Sequence, residues 1–160
     1  MLDTLRWLHR ETKVWVEITN LIIPGHNDDP AETRRLAEWV ATEMSPDVPL
    51  HLTAFHPDYE MLDVPPTPPA TLRRARAIAR EAGLRYVYTS NVSDPDGQTT
   101  WCPRCGAAAI ERDGYRVAPV GLAARPSRDG ACAACSERIA GVFDLGRPSE
   151  GRRRSLGLAF

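Results

Sequence analysis

The chain has 160 residues, enough for one ordinary domain or for a partial domain with a small metal-stapled one. A formal net charge of -1 gives no whole-chain reason to expect nucleic acid or an anionic membrane as partner, so nucleic-acid binding is disfavoured. Hydrophobic residues make up 42%, which indicates a folded protein, and no apolar run approaches the roughly 20 residues needed to cross a bilayer, so a soluble, cytoplasmic protein is expected.

Residues 2–11 place Leu2, Leu5 and Leu8 at helical spacing, with Asp3, Arg6 and Arg10 on other faces, and predict an amphipathic helix. Val14 to Ile23 is rich in β-branched residues and stops at Pro24-Gly25, as a strand does. Its first half alternates, with Val14, Val16 and Ile18 on one side and Trp15, Glu17 and Thr19 on the other. Pro24 to Asp28 forms a loop. Asp29, followed by Pro30 and Glu32, then starts a helix in the manner of a capping box. Leu36, Val40 and Met44 form the buried stripe of that helix, with Trp39 alongside, and Pro46 and Pro49 end it.

A second strand, Leu50 to Phe55, runs into His56-Pro57-Asp58-Tyr59. After a proline-rich loop from Glu60 to Pro69, a helix opening at Thr67 or Pro68 buries Leu72, Ala75, Ile78, Ala79 and Ala82. The same helix leaves Arg73, Arg76 and Arg80 as a solvated face and is capped by Gly83. Leu84 to Thr89 reads as a third strand ending at Ser90-Asn91. Strand, helix, strand, helix, strand with short connections is the pattern of a parallel α/β sheet. Three strands cannot close a barrel and make a poor free-standing sheet, because the first has an open edge. The expected fold is therefore α/β: an incomplete parallel (β/α) partial barrel over residues 1–92, beginning partway through a larger fold.

Ser93 to Thr100 reads as a polar linker. Behind it stand the chain's 4 cysteines, Cys102-Pro103-Arg104-Cys105 and Cys132-Ala133-Ala134-Cys135. A Cys-x-x-Cys turn aims two thiolates at one ion, and two such turns supply the four tetrahedral sulfurs that structural zinc prefers. Gly106 strengthens the first turn because glycine accepts a positive φ, whereas Ser136 in the matching place is a weaker fit. Iron in a rubredoxin-like site, an iron–sulfur centre, a redox pair and disulfides are the competing readings, the last disfavoured by the reducing cytosol. Between the turns, Ala109 to Arg112, Asp113-Gly114 and Tyr115 to Val117 read as a hairpin, and Ile139 to Phe143 as a further strand. Residues 101–144 are thus expected to form a zinc ribbon, and 145–160, with Arg152-Arg153-Arg154, a flexible tail.

Ligands in parallel α/β folds sit beyond the carboxyl ends of the strands. Polar clusters fall there: His26-Asn27-Asp28, His56 with Asp58 and Tyr59, and Ser90-Asn91. Each can equally well serve to turn the chain. No nucleophile motif, glycine-rich phosphate loop or His-Glu zinc motif accompanies them.

Lys13-Val14-Trp15-Val16, Ile22-Ile23-Pro24-Gly25-His26-Asn27-Asp28, Phe55-His56-Pro57-Asp58-Tyr59 and the Cys-Pro-x-Cys turn follow one another in an order that resembles a known family. It is the late half of radical S-adenosylmethionine enzymes of the pyruvate formate-lyase activating type, and within them the AmmeMemoRadiSam-system subfamily. The resemblance implies a partial barrel in which Val14 to Ile23 is the fifth strand and Leu50 to Phe55 the sixth. It also implies S-adenosylmethionine reduced at a 4Fe-4S cluster to release a 5'-deoxyadenosyl radical. By that similarity His56 lies beside S-adenosylmethionine, Thr19 falls near a nucleotide-contacting position that is arginine in the activating enzymes, and Asn27 and Asp28 belong to the same cofactor-binding end. The cluster-binding Cys-x-x-x-Cys-x-x-Cys and the first four strands are absent, so the implied product is a carboxyl-terminal part, inactive alone. Its natural partner would be the missing amino-terminal half. The competing expectation is a stand-alone zinc-ribbon module that binds a protein or nucleic acid.

Overall fold

The computed structural model describes residues 1–114, 116–123 and 130–143. Tyr115 of the expected hairpin, Asp144 and the expected tail 145–160 lie outside the described residues. In chain order the elements are α1 (Leu2–Glu11), β1 (Ile18–Ile22), α2 (Pro30–Trp39, continued by a π turn Val40–Met44), β2 (Leu50–Ala54), α3 (Pro69–Glu81), β3 (Val87–Ser90), α4 (Pro95–Gln98), β4 (Thr100–Trp101), β5 (Ala108–Asp113) and β6 (Arg116–Ala118).

The first three strands form a parallel sheet in the order β1-β2-β3, with Ile18 opposite Leu50 and Leu50 opposite Val87. Parallel neighbours need a crossover, and α2 and α3 supply it. Asp29 caps α2 as expected, its carboxylate accepting from the Ala31 N–H at 2.8 Å, and Pro30 stands at the first helical position. Alternation along the strands decides the two faces of the sheet. Ile22, Leu50, Leu52, Ala54 and Val87 turn towards the helices and pack on Ala37, Val40, Leu72, Ala75 and Ala79. Thr19, His51 and Tyr88 share one cross-strand row of the opposite face, and Leu21, Thr53 and Ser90 the next.

Several expectations are corrected in detail. The first strand begins at Ile18 rather than Val14; Val14 and Trp15 stay exposed, because β2 begins opposite Ile18 and offers them no partner. The third strand begins at Val87, not Leu84. The second helix of the sheet starts at Pro69, because Thr67 is buried in a different role: its hydroxyl donates to the Ile22 carbonyl and accepts from the Phe55 N–H, tying the ends of β1 and β2. Arg76 does not belong to the solvated face. Its guanidinium donates to the Val87 carbonyl at 3.0 Å and to Asp96 at 2.6 Å, fastening α3 to β3 and α4.

Residues 93–100 are not a loose linker. Asp94 is buried and accepts from the Thr89 hydroxyl at 2.9 Å, and Thr99 and Thr100 are buried as well. Gly97 lies so close to Thr89 and Asp94 that any Cβ would collide with both. The second sheet follows at once, β4-β5-β6 antiparallel, and Ile139 to Phe143 contributes no strand to it. Ile139 is buried there instead, its N–H donating to the Gly130 carbonyl.

Candidate functional site

Two turns of the same geometry build the cysteine site. In the first, the Cys102 N–H donates to Ala107 O at 2.8 Å and the Gly106 N–H to Cys102 O at 3.0 Å. In the second, the Cys132 N–H donates to Glu137 O at 2.8 Å and the Ser136 N–H to Cys132 O at 2.9 Å. Gly106 and Ser136 both take a positive φ, 72° and 61°. The turn geometry is therefore the same whether glycine or serine occupies it, and Ser136 carries the backbone cost.

The four sulfurs come together within 4.8 Å of one another, Cys102 to Cys135 at 3.6 Å and Cys105 to Cys132 at 3.7 Å. A disulfide needs about 2.05 Å, so these are not bonded pairs. Four sulfurs about 2.3 Å from one ion at tetrahedral angles stand about 3.8 Å apart, and the observed separations fit that cage. Cys102 and Cys132 are buried while Cys105 is exposed, which leaves the site shielded on one side and open on the other.

Electrostatics point the same way. The Ala134 and Cys135 N–H groups face the Cys132 sulfur and bring that thiol down to about 7. At Cys135 the Glu137 N–H also favours the thiolate, but burial and the three neighbouring thiols outweigh it and push this group up to about 12. Once one thiolate has formed, the next is opposed by a like charge less than 4 Å away. A cation removes that opposition, so the cluster is one that can hold a metal ion, its four cysteines being the ligands expected from the sequence.

A second polar arrangement lies on the uncovered face of the parallel sheet. The Glu17 carboxylate stands 2.7 Å from His51 Nε2 and accepts from Trp15 Nε1 at 2.8 Å. Burial works against its charge, but the Trp15 and His51 contacts outweigh it and hold the carboxyl below its ordinary range. The His51 ring stacks on Tyr88 with centroids 5.1 Å apart, and the Arg112 guanidinium of β5 also lies over the Tyr88 ring, 5.2 Å from its centroid. Arg112 is held by the Thr100 hydroxyl at 2.8 Å and the Gln98 carbonyl at 3.0 Å, and Tyr88 shares Thr100 at 2.9 Å. Burial pushes the Tyr88 phenol up. His51, Tyr88, Gln98 and Arg112 line a cleft of about 1430 Å³ between the sheet and the β5–β6 hairpin, with Ser90, Asn91 and Arg116 at its wall.

The residues singled out by the polar loops are brought to one end of the sheet, in different roles. His56 Nε2 lies 3.2 Å from the Asn91 carbonyl, joining the loops after β2 and β3. Asn91 adopts φ 60° and its amide reaches the Ala54 carbonyl at 3.4 Å. Asn27 turns inward, accepting from the Ile23 N–H at 2.7 Å and donating to the Leu21 carbonyl at 2.8 Å, and Asp28 accepts from the Gly25 N–H at 2.9 Å. Thr19 is exposed in the same row as His51 and Tyr88. The Glu17–His51–Tyr88–Arg112 array was missed in the sequence; the alternation of Glu17 with apolar neighbours was its one visible trace.

No family model matches the chain. It is 42% identical over 139 residues, 87% of its own length, to the uncharacterized protein MJ0808 of Methanocaldococcus jannaschii, and it spans 40% of that protein's length.

Proposed function

We propose that this chain is the carboxyl-terminal part of a radical S-adenosylmethionine enzyme of the pyruvate formate-lyase activating type, a partial barrel closed at its end by a structural zinc ribbon. The observation that carries the reading is the meeting of the family-like loops at one end of a parallel sheet: Pro24 to Asp28 after β1, His56 after β2 and Asn91 after β3, with His56 on the Asn91 carbonyl. That is the end at which parallel α/β folds bind ligands. In this reading His56 and the exposed Thr19 face S-adenosylmethionine, which when bound to a reduced 4Fe-4S cluster supplies a hydrogen-abstracting radical.

The chain does not itself hold the cluster. Its 4 cysteines all belong to the ribbon site, and none is left for a Cys-x-x-x-Cys-x-x-Cys loop. Asn27 and Asp28 support the site through the loop they brace, since their side chains are engaged with the backbone of residues 21–25. The ribbon is packed on the sheet rather than set apart: the Ala140 N–H donates to the Tyr86 hydroxyl at 3.0 Å, and Arg112 sits over Tyr88. That packing favours a ribbon that closes this barrel over a free-standing binding module. Zinc is the ion the four-sulfur cage suits best.

Two measurements test the reading. Metal analysis should return one zinc per chain, and iron with a thiolate charge-transfer spectrum would refute the metal assignment. The chain alone should bind S-adenosylmethionine negligibly; joined to the rest of a protein like MJ0808 and loaded with a 4Fe-4S cluster, it should yield 5'-deoxyadenosine under reduction. A loaded assembly that yields none refutes the radical reading.

A further inference from the structure

We infer that the cleft between the parallel sheet and the β5–β6 hairpin is a binding site for a small molecule carrying a carboxylate, which Arg112 receives and His51 flanks. The site needs only residues of this chain, so it stands or falls separately from the radical reading. Its polar groups lie towards the amino ends of the strands, since His51 and Tyr88 each stand second in β2 and β3, whereas His56 and Asn91 follow the carboxyl ends.

Among the described residues the Arg112 guanidinium is hydrogen-bonded through one nitrogen only. Nη1 donates to the Gln98 carbonyl at 3.0 Å and to the Thr100 hydroxyl at 2.8 Å, and the Tyr88 ring, 5.2 Å away, steadies the plane. Nε and Nη2, which form the adjoining edge, have no hydrogen-bond partner among the described residues. No buried side-chain nitrogen or oxygen among them lacks a partner, so that edge is open to solvent, and Arg112 borders the cleft. Two parallel N–H donors on a planar edge match the two oxygens of a carboxylate. A guanidinium already fixed through its other nitrogen has little rotamer freedom left to lose on binding.

His51 is arranged in the same way. Its Nε2 lies 2.7 Å from the Glu17 carboxylate and its ring stacks on Tyr88, while Nδ1 has no partner among the described residues and the residue borders the cleft. Nδ1 is therefore left to meet a polar group of a bound molecule. Tyr88 and Trp101 border the cleft as well and offer flat surface to the ligand's body. Charge decides the class of ligand. Arg116 is a second, exposed cation on the wall, and Asp96 is paired with Arg76 at 2.6 Å. Glu111 and Asp113 alternate with Arg112 along β5 and so project from the other face of that strand. The Glu17 carboxylate is engaged by His51 and Trp15. One fixed guanidinium with a carboxylate in its surroundings suits a monoanion better than a phosphate dianion, which calls for further fixed cations.

The test titrates the full chain with sodium benzoate, with benzamide as its neutral counterpart of similar shape, and with inorganic phosphate, and follows the Arg112 Nε–Hε and His51 ring signals by NMR. Benzoate should move both signals saturably and benzamide neither. Arg112→Lys keeps the charge but loses the two-pronged edge and should weaken benzoate binding about tenfold, whereas Arg116→Gln should change it less than about threefold. The parent's signals carry the decision if the lysine variant fails to fold. Benzamide binding as well as benzoate, or phosphate moving the signals where benzoate does not, would overturn the carboxylate assignment. No saturable shift with any of the three, or benzoate binding by a folded Arg112→Lys equal to the parent's, overturns the site. These readings need neither a cluster nor S-adenosylmethionine, so loss of the site leaves the radical reading standing, and a loaded assembly that yields no 5'-deoxyadenosine leaves the site standing.

Discussion

The parallel sheet and the ribbon reach order by different means. The sheet unit encloses Ile22, Leu50, Leu52 and Leu72 completely between strands and helices, and each such side chain contributes about 1.5–3 kcal/mol on burial. Among the described residues the ribbon fully buries Cys102, Cys132, Ala109 and Ile139, joined by Tyr86 on loan from the sheet side, with Ile110, Leu122 and Phe143 partly buried around them. So small a set offsets little of the chain entropy of such a segment. The difference teaches that the ribbon depends on more than its own apolar core: the surface of the sheet beneath it and, in the reading proposed above, an ion among its sulfurs.

The largest expected effect separates the regions outright. Cys132→Ser removes a buried ligand, and binding a structural zinc at neutral pH is worth on the order of 10 kcal/mol or more. Metal analysis should find the ion lost, and hydrogen exchange should show β4, β5 and the two cysteine turns unprotected while β2 and α3 stay protected. If β2 and α3 lose protection as well, the two regions fold as one unit and the contrast fails. Leu52→Ala is the reverse experiment. It should cost about 2–5 kcal/mol in denaturant unfolding of the sheet, because the cavity opens beneath both α2 and α3.

Smaller changes probe the seam. Tyr86→Phe deletes the hydroxyl that accepts from the Ala140 N–H and should cost about 1 kcal/mol, read as faster exchange in the ribbon with sheet protection unchanged. The smallest effect is a pH dependence. Glu17 has a depressed folded pKa, so its contribution is complete above the ordinary carboxylate value and is lost as pH falls through the folded one. Glu17→Gln should therefore equal the parent in acid and fall short of it at neutral pH. The side chain is 46% exposed, so solvent screening should keep the difference below about 1 kcal/mol in parallel denaturation series. A mutant that falls short in acid as well would show that Glu17 acts through packing rather than charge.

Much of the sheet was legible because it obeys short periods. The repeat at Leu72, Ala75 and Ala79, the cap at Asp29 and the strand from Leu50 are local patterns; the repeat emerges as a buried face and Asp29 as the cap of α2. The four cysteines were legible for a similar reason, since two-residue gaps dictate a turn and a turn dictates convergent sulfurs. Arg76 was misread because an arginine in an otherwise solvated stripe carries no mark of the carbonyl and carboxylate that α4 and β3 bring to it. Thr67, read as a helix start, and Asp94, read as linker, were misassigned likewise: each is a small polar residue in a loop, and only the hydrogen-bond partner that folding brings to it explains its burial.

By itself the sequence determined the alternating strands and helices of the parallel sheet, apart from their exact ends, and that four thiols share one site, because these follow from spacing within a few residues of chain. Tertiary structure alone decided that residues 93–100 form a seam rather than a linker, that Ser136 takes the same positive φ as Gly106, and that Arg112 reaches back across the cleft to Tyr88. It also decided that Asn27 spends its amide on the open edge of β1. These outcomes depend on which surfaces meet when the two sheets are brought together, and no local period records that.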